Sequence, residues 1–172
     1  QGFLRKLYYS DNNGDSWIES NGTSGVDWRS FSVNSVGEIF ISSPGGNLAG
    51  SNVGGLLKSS NEGADFSRIY SNITYTNCTF NNDLFILSKK SDSEVSLMKS
   101  INNGVDWEEI HIFNITLSSS AEEELSKIIV FNNKILVFFK DKIYCSDVSN
   151  IDLKETDLDD NLGKLRELSV ID

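Results

Sequence analysis

Few residues in this 172-residue chain are of the types that run reactions. The single histidine, His111, sits in Glu108-Glu109-Ile110-His111-Ile112, so neither a histidine-based nucleophilic triad nor a multi-histidine metal site can be assembled. Paired carboxylates occur at Glu108–Glu109 and Asp159–Asp160, but neighbours on a strand point to opposite faces, and a solvated edge is the expectation for both. Asp11-Asn-Asn-Gly-Asp15 has the flavour of a calcium loop. Its glycine comes two positions early and no glutamate follows at the right distance, so calcium is not expected. Of the four arginines, Arg5, Arg29, Arg68 and Arg166, only Arg29 stands near the start of a predicted inner strand, where a pocket arginine would stand. These observations assign no catalytic residue, no metal ligand and no cofactor.

Composition narrows the partners. The net charge of −10 is spread along the whole chain and repels phosphate backbones and anionic lipid surfaces, which argues against nucleic acid and against membrane association. The best apolar run, Lys127–Phe139, is broken by Asn132, Asn133 and Lys134, so no insertion into a membrane is expected. Cys78 and Cys145 lack metal spacing; one bridge between them and two buried thiols both remain open. Four sequons begin at Asn21, Asn72, Asn77 and Asn114, against about three expected by chance from 18 Asn and 32 Ser plus Thr. They lean the chain towards an extracellular, cell-surface or virion-associated setting. The chain begins without Met or a signal peptide and reads as a mature product or a piece of something larger.

The elements that would position any site are repeats. Leu7–Trp17, Leu56–Phe66 and Leu97–Trp107 align without gaps as Leu-x-x-Ser-x-Asn-x-Gly-x-(Ser/Asp)-(Trp/Phe). The aligned residues are Ser10, Asn12, Gly14 and Trp17; Ser59, Asn61, Gly63 and Phe66; Ser100, Asn102, Gly104 and Trp107. A decayed fourth copy at Ile143–Leu153 keeps Ser146, with Asn150 in the glycine place and Leu153 in the aromatic place. Glycine at a hairpin supplies positive φ, asparagine and serine fold back onto backbone amides, and the aromatic wedges into apolar space as the return strand begins. The serines recur at a period of 40–50 residues, which suits a propeller blade.

This pattern resembles the Asp box, Ser-x-Asp-x-Gly-x-Thr-Trp, also called the bacterial neuraminidase repeat, found in sialidases, sortilin-type receptors, some glycoside hydrolases and many non-enzymatic propellers. Asn replaces the Asp in all three clear copies. The resemblance implies an all-β fold: β-propeller blades of four-stranded antiparallel sheets. Upstream of the boxes, Phe80–Leu87 matches Phe131–Phe138, with Val33–Ile41 as a looser third copy, and these apolar runs read as strands buried on both faces. The expected layout of this single propeller segment is about three complete blades, at roughly 28–70, 73–115 and 126–157. Partial terminal blades are expected at 1–20 and 164–172. The connector Ser43–Gly55 reads as a loop within a blade, and Ser118–Leu125 as a turn of helix capped by Ser120 and Glu123. Two arrangements satisfy this count: a segment of a larger propeller completed by other blades or another chain, or a small closed ring of four.

A sialidase of this kind would resemble its family in carrying three arginines, a Tyr/Glu nucleophile pair and an acidic general acid/base. No arginine here lies in a Phe/Tyr-Arg-Ile-Pro motif, and the single proline, Pro44, is in a glycine-rich loop. The expected function is therefore a non-catalytic binding or structural module for a glycan or protein partner. Tyr8, Tyr9, Trp28 and Arg29 are the expected ligand contacts. The alternative is a fragment of a sialidase-like glycoside hydrolase whose catalytic residues lie in other blades.

Overall fold

The computed structural model describes residues 6–23, 27–45, 54–117, 126–139 and 142–156. The expected segment 164–172 and the capped turn at 118–125 lie outside these residues, as does most of the loop after Pro44.

Among the described residues, fourteen strands form one two-stranded ribbon and three four-stranded sheets. The ribbon pairs β1 (Tyr8–Tyr9) with β2 (Ile18–Glu19). The first sheet runs β3 (Ser30–Val33), β4 (Ile39–Ser43), β5 (Gly55–Ser59), β6 (Ser67–Tyr70). The second runs β7 (Thr74–Phe80), β8 (Asp83–Ser91), β9 (Glu94–Ser100), β10 (Glu108–Phe113). The third runs β11 (Lys127–Phe131), β12 (Lys134–Phe139), β13 (Lys142–Asp147), β14 (Asn150–Thr156). Each sheet is an antiparallel meander in chain order, so its hydrogen bonds follow from hairpins rather than crossovers.

The hairpins between first and second strands of the second and third sheets close on asparagines with positive φ, Asn81 at 52°, and Asn132 and Asn133 at 48° and 60°, while that of the first sheet uses Gly37 at 82°. Asparagine tolerates this region better than other side chains, and consecutive left-handed residues match the twist of the flanking strands.

Apolar side chains leave both faces of the second strands, which is why the middle of each strand is largely buried. On β8, Leu84, Phe85, Ile86 and Leu87 are all at most 1% exposed. Leu84 and Ile86 join Phe40 and Leu56 of the first sheet in one cluster, with Ile69, Tyr70, Met98 and Trp107 around it. Phe85 and Leu87 join Ile135, Val137 and Phe139 of the third sheet in another. Ile41, Leu57 and Phe66 meet Leu7 of the ribbon in a third, smaller cluster. The core is thus a series of seams between stacked sheets, each strand alternation feeding two of them.

The first strands β3, β7 and β11 lie side by side where the sheets converge. Between β3 and β7 the seam is polar: Asn77 donates through Nδ2 to Ser30 O at 3.2 Å and to Ser42 Oγ at 2.6 Å, and its Oδ1 accepts from Ser32 Oγ. Thr79 Oγ1 donates to Val33 O at 2.7 Å. The buried Asn77 amide is satisfied on both ends, so the polar seam holds rather than weakens the packing.

Candidate functional site

The three repeat hairpins share one geometry. In the third, Ser100 Oγ accepts from Gly104 N at 2.8 Å and donates to Asn102 Oδ1 at 2.9 Å, while that Oδ1 accepts from Asp106 N, also at 2.9 Å. Ser59 with Asn61, and Ser10 with Asn12, repeat these bonds within a few tenths of an ångström. The residue before each glycine is also left-handed, Asn13, Glu62 and Asn103 at φ of 57°, 59° and 57°. The glycine alone was the sequence signal for positive φ; Glu62 shows that the serine and asparagine bonds hold the neighbouring residue there too.

The box serine is spent on the turn, which carries a testable consequence. Ser100 is 1% exposed, so Ser100→Ala leaves the Gly104 N–H without its partner and takes one of the two hydrogen bonds from Asn102 Oδ1. A loss of about 1–3 kcal/mol is expected in chemical denaturation. The partly exposed Ser10 makes the same bonds beside water, and Ser10→Ala should cost less.

The decayed fourth copy departs from this loop. Asp147 pairs with Asn150, closing a tight hairpin over Val148 and Ser149, and Ser146 Oγ accepts instead from Asp152 N at 2.6 Å. Without a glycine to take the left-handed position, the longer loop is not formed. Leu153 is nonetheless buried in the seam with the second sheet.

The expected contact residues have different surroundings. Tyr8 is 46% exposed on the ribbon, and Tyr9 is half-buried with its Cβ side towards Gly63. Trp28 packs against the Ile41, Leu57 and Phe66 cluster. The Arg29 guanidinium donates to Asp27 at 2.8 Å, both side chains 15% exposed. Sequence reasoning did not single out the cleft beside the second box. About 490 Å³ in volume, it is lined by Lys58, Ser60, Asn61, Asp65, Phe66, Ser67 and Ile69. Two box residues, Asn61 and Phe66, were the sequence signals that pointed to it.

Charges in the cleft are held by partners. Lys58 Nζ bonds Glu38 Oε1 at 2.7 Å; burial pushes the Glu38 carboxyl up, but hydrogen bonds from Lys58 and Asn34 outweigh it and hold the group below the usual range. Asp65 accepts from Asn21 at 2.8 Å and Asn61 at 2.7 Å, which keeps its carboxyl low. Glu109 accepts from Lys90 and Ser96 and is likewise held low. Among the described residues no three His, Cys, Asp or Glu side chains gather as metal ligands.

Three sequons turn out to be in phase with the repeat. Asn21, Asn72 and Asn114 each follow the last strand of the ribbon or of a sheet, and Thr23 and Thr74 are buried with their hydroxyls donating back to Ser20 O and Asn72 O, each at 3.0 Å. Asn72 and Asn114 are exposed; Asn77 is buried in the polar seam. Cys78 and Cys145, on different sheets, are both free thiols, and burial pushes that of Cys78 up and keeps it unreactive.

Burial lowers the pKa of His111, partly countered by Asp152. The folded state therefore disfavours the charged ring. Above the ordinary value of 6.5 this costs nothing; as the pH falls below it, the unfolded chain binds the proton first and stability declines. Denaturation midpoints taken at descending pH should show this decline, and His111→Gln should remove that component.

No family model and no curated protein matches this chain. Solved structures do. A structure of YCF48 bound to D1 peptide matches with a TM-score of 0.53 at 10% identity, covering 88% of this chain and 47% of that one. The GH74 xyloglucanase from Xanthomonas campestris matches with 0.53 at 12% identity, over 81% and 26%. The tricorn protease matches with 0.52 at 17% identity, over 91% and 16%. The fold is that of a β-propeller. This chain spans less than half the length of each of the three propeller-containing chains. In propeller terms the three sheets are blades, box hairpins join the third and fourth strands of the first two, and the polar seam of β3 and β7 lies among the innermost strands.

Proposed function

We propose that this chain is an Asp-box propeller module of the sialidase-like kind that binds a protein or glycan partner without catalysing a reaction. The observation that supports this most is the cleft beside the second box, lined by Lys58, Ser60, Asn61, Asp65 and Ser67 together with Phe66 and Ile69. A lining that mixes directional polar groups with apolar ones suits a short extended peptide or a sugar, whose own surfaces alternate in the same way. YCF48, with which the chain shares its fold, is described as bound to a peptide, and a peptide is the first partner to test.

The test is binding of the purified chain to peptide and glycan arrays, followed by titration of the best hit. Ser67 is exposed at the cleft, so Ser67→Trp should fill it and weaken binding about tenfold or more while the melting temperature stays within a few degrees. An unchanged affinity removes the cleft from the proposal. The second reading, a fragment of a sialidase-like glycoside hydrolase, would gain if the chain with its natural flanking sequence cleaved a fluorogenic sialoside or a xyloglucan oligosaccharide.

A further inference from the structure

The residue before the box aromatic differs among the three hairpins. In each, the box asparagine donates its Nδ2 to that side chain: Asn12 to Ser16 Oγ at 2.8 Å, Asn61 to Asp65 Oδ2 at 2.7 Å, and Asn102 to Asp106 Oδ2 at 2.8 Å. Ser16 shows that a hydroxyl is enough at this place, so the turn itself does not require a carboxylate. Asp65 has a second support. Asn21, just after β2, bonds the backbone on both sides of Asp65, through Ala64 O and Phe66 N, and donates its Nδ2 to Asp65 Oδ1 at 2.8 Å. Gly22 permits this approach, since a Cβ there would stand 2.0 Å from Phe66 O. Each oxygen of Asp65 thus accepts one amide hydrogen, which fixes the plane of the carboxylate while the residue stays exposed.

The other charges of the cleft cancel. Lys58 is bound to Glu38, whose oxygens also accept from Ser60 at 3.1 Å and Asn34 at 2.8 Å. Arg68 belongs to the opposite face of its strand: Ser67 pairs with Lys58, whereas the Arg68 Cδ lies 3.3 Å from where a Gly55 Cβ would stand. Among the described residues, no lysine or arginine pairs with Asp65. The cleft therefore carries one uncompensated negative charge, in a chain whose net charge of −10 attracts cations over a longer range. A carboxylate held in one plane beside Phe66 and Ile69 matches arginine better than any other side chain. The guanidinium fork spans both carboxylate oxygens, and the aliphatic stem covers apolar surface.

We propose that the cleft takes a cationic peptide segment, one arginine of which sets its guanidinium on Asp65 and its stem against Phe66 and Ile69. The inference rests on the cleft being a peptide site and goes further in giving that peptide its charge. It also sets Asp65 apart from Asp106, which has the support of its own box asparagine and none from a segment like Asn21.

An array of random short peptides probed with the 172-residue chain tests the class of partner, and titration of the strongest hit tests the contact. Hits enriched in arginine are expected. Replacing that arginine by citrulline, which keeps the shape and lacks the charge, should weaken binding about tenfold or more without any change to the protein. Asp65→Ser gives the second box the residue of the first, so the turn is kept and the same loss is expected; Asp106→Ser should leave the affinity unchanged. If Ser67→Trp abolishes binding but neither citrulline nor Asp65→Ser weakens it, the arginine contact falls and the cleft remains the peptide site. If Ser67→Trp also leaves the affinity unchanged, both fall. Hits without arginine, an array that captures nothing, or a sialylated glycan bound in the cleft in place of any peptide would each overturn the proposal.

Discussion

Phe85→Ala is expected to remove about 3–5 kcal/mol of folding stability, a large share of the roughly 5–15 kcal/mol available to a domain of this size. Phe85 is fully buried at the middle of β8, where β7 and β9 flank it and the third blade closes over it. The Lys99 ammonium sits 5.5 Å from the ring centroid and is tied to Asp83 at 2.7 Å, so the ring has little room to be replaced by a shifting neighbour. The same arrangement recurs one blade earlier, with Lys58 over Phe40 and paired to Glu38. Truncation leaves a void that the two flanking strands cannot close without breaking their ladder. Urea denaturation followed by circular dichroism measures the loss. Phe31→Ala provides the control: that ring is 55% exposed on β3, and its removal should alter stability by about 0.5 kcal/mol or less.

Gly55→Ala is expected to cost about 2–4 kcal/mol for a different reason. Gly55 opens β5 at φ of 139°, and an added Cβ would lie 2.2 Å from the carbonyl oxygen of Tyr70 and 3.3 Å from Arg68 Cδ. The obstacle is backbone, so no rotamer change relieves it. The outer pair must part at the bulge between Leu56 and Leu57, where Leu56 faces Tyr70 across the ladder. Tyr70 also meets Trp107 in a tilted ring contact, so the strain reaches the seam with the second blade, and Trp107 fluorescence should shift along with the denaturation midpoint. Gly37 marks the contrast. Its φ is 82° with open space around the missing Cβ, so Gly37→Ala should show only the conformational penalty, about 1 kcal/mol.

Both effects bear on how much of the molecule is legible before folding. The box hairpins are, because every bond that shapes them joins residues no more than four apart, so the motif carries its own partners. The fourth copy shows the limit of alignment. Ser146 is retained, but with Asn150 in place of the glycine the chain takes a two-residue turn. Ser30, Ser32, Ser42, Thr79 and Val33 give no sign in the sequence of meeting Asn77 or its neighbours, since those bonds span 35 to 47 positions. Trp28 and Arg29 looked available as contacts; packing against the first seam and the ion pair with Asp27 engage them.

The sequence by itself determined the all-β class, the hairpin repeat, the period of the blades and the double burial of their second strands. Those properties are encoded locally, in side-chain alternation and in turns that satisfy themselves. Only the tertiary structure decided which surface each repeat meets. Trp17, Phe66 and Trp107 hold the same place in the same motif, yet one ring is exposed and two are covered to different degrees. Among the described residues the ribbon lies against Phe66 and the first sheet against Trp107, and no residue within a hairpin can report what stands beside it.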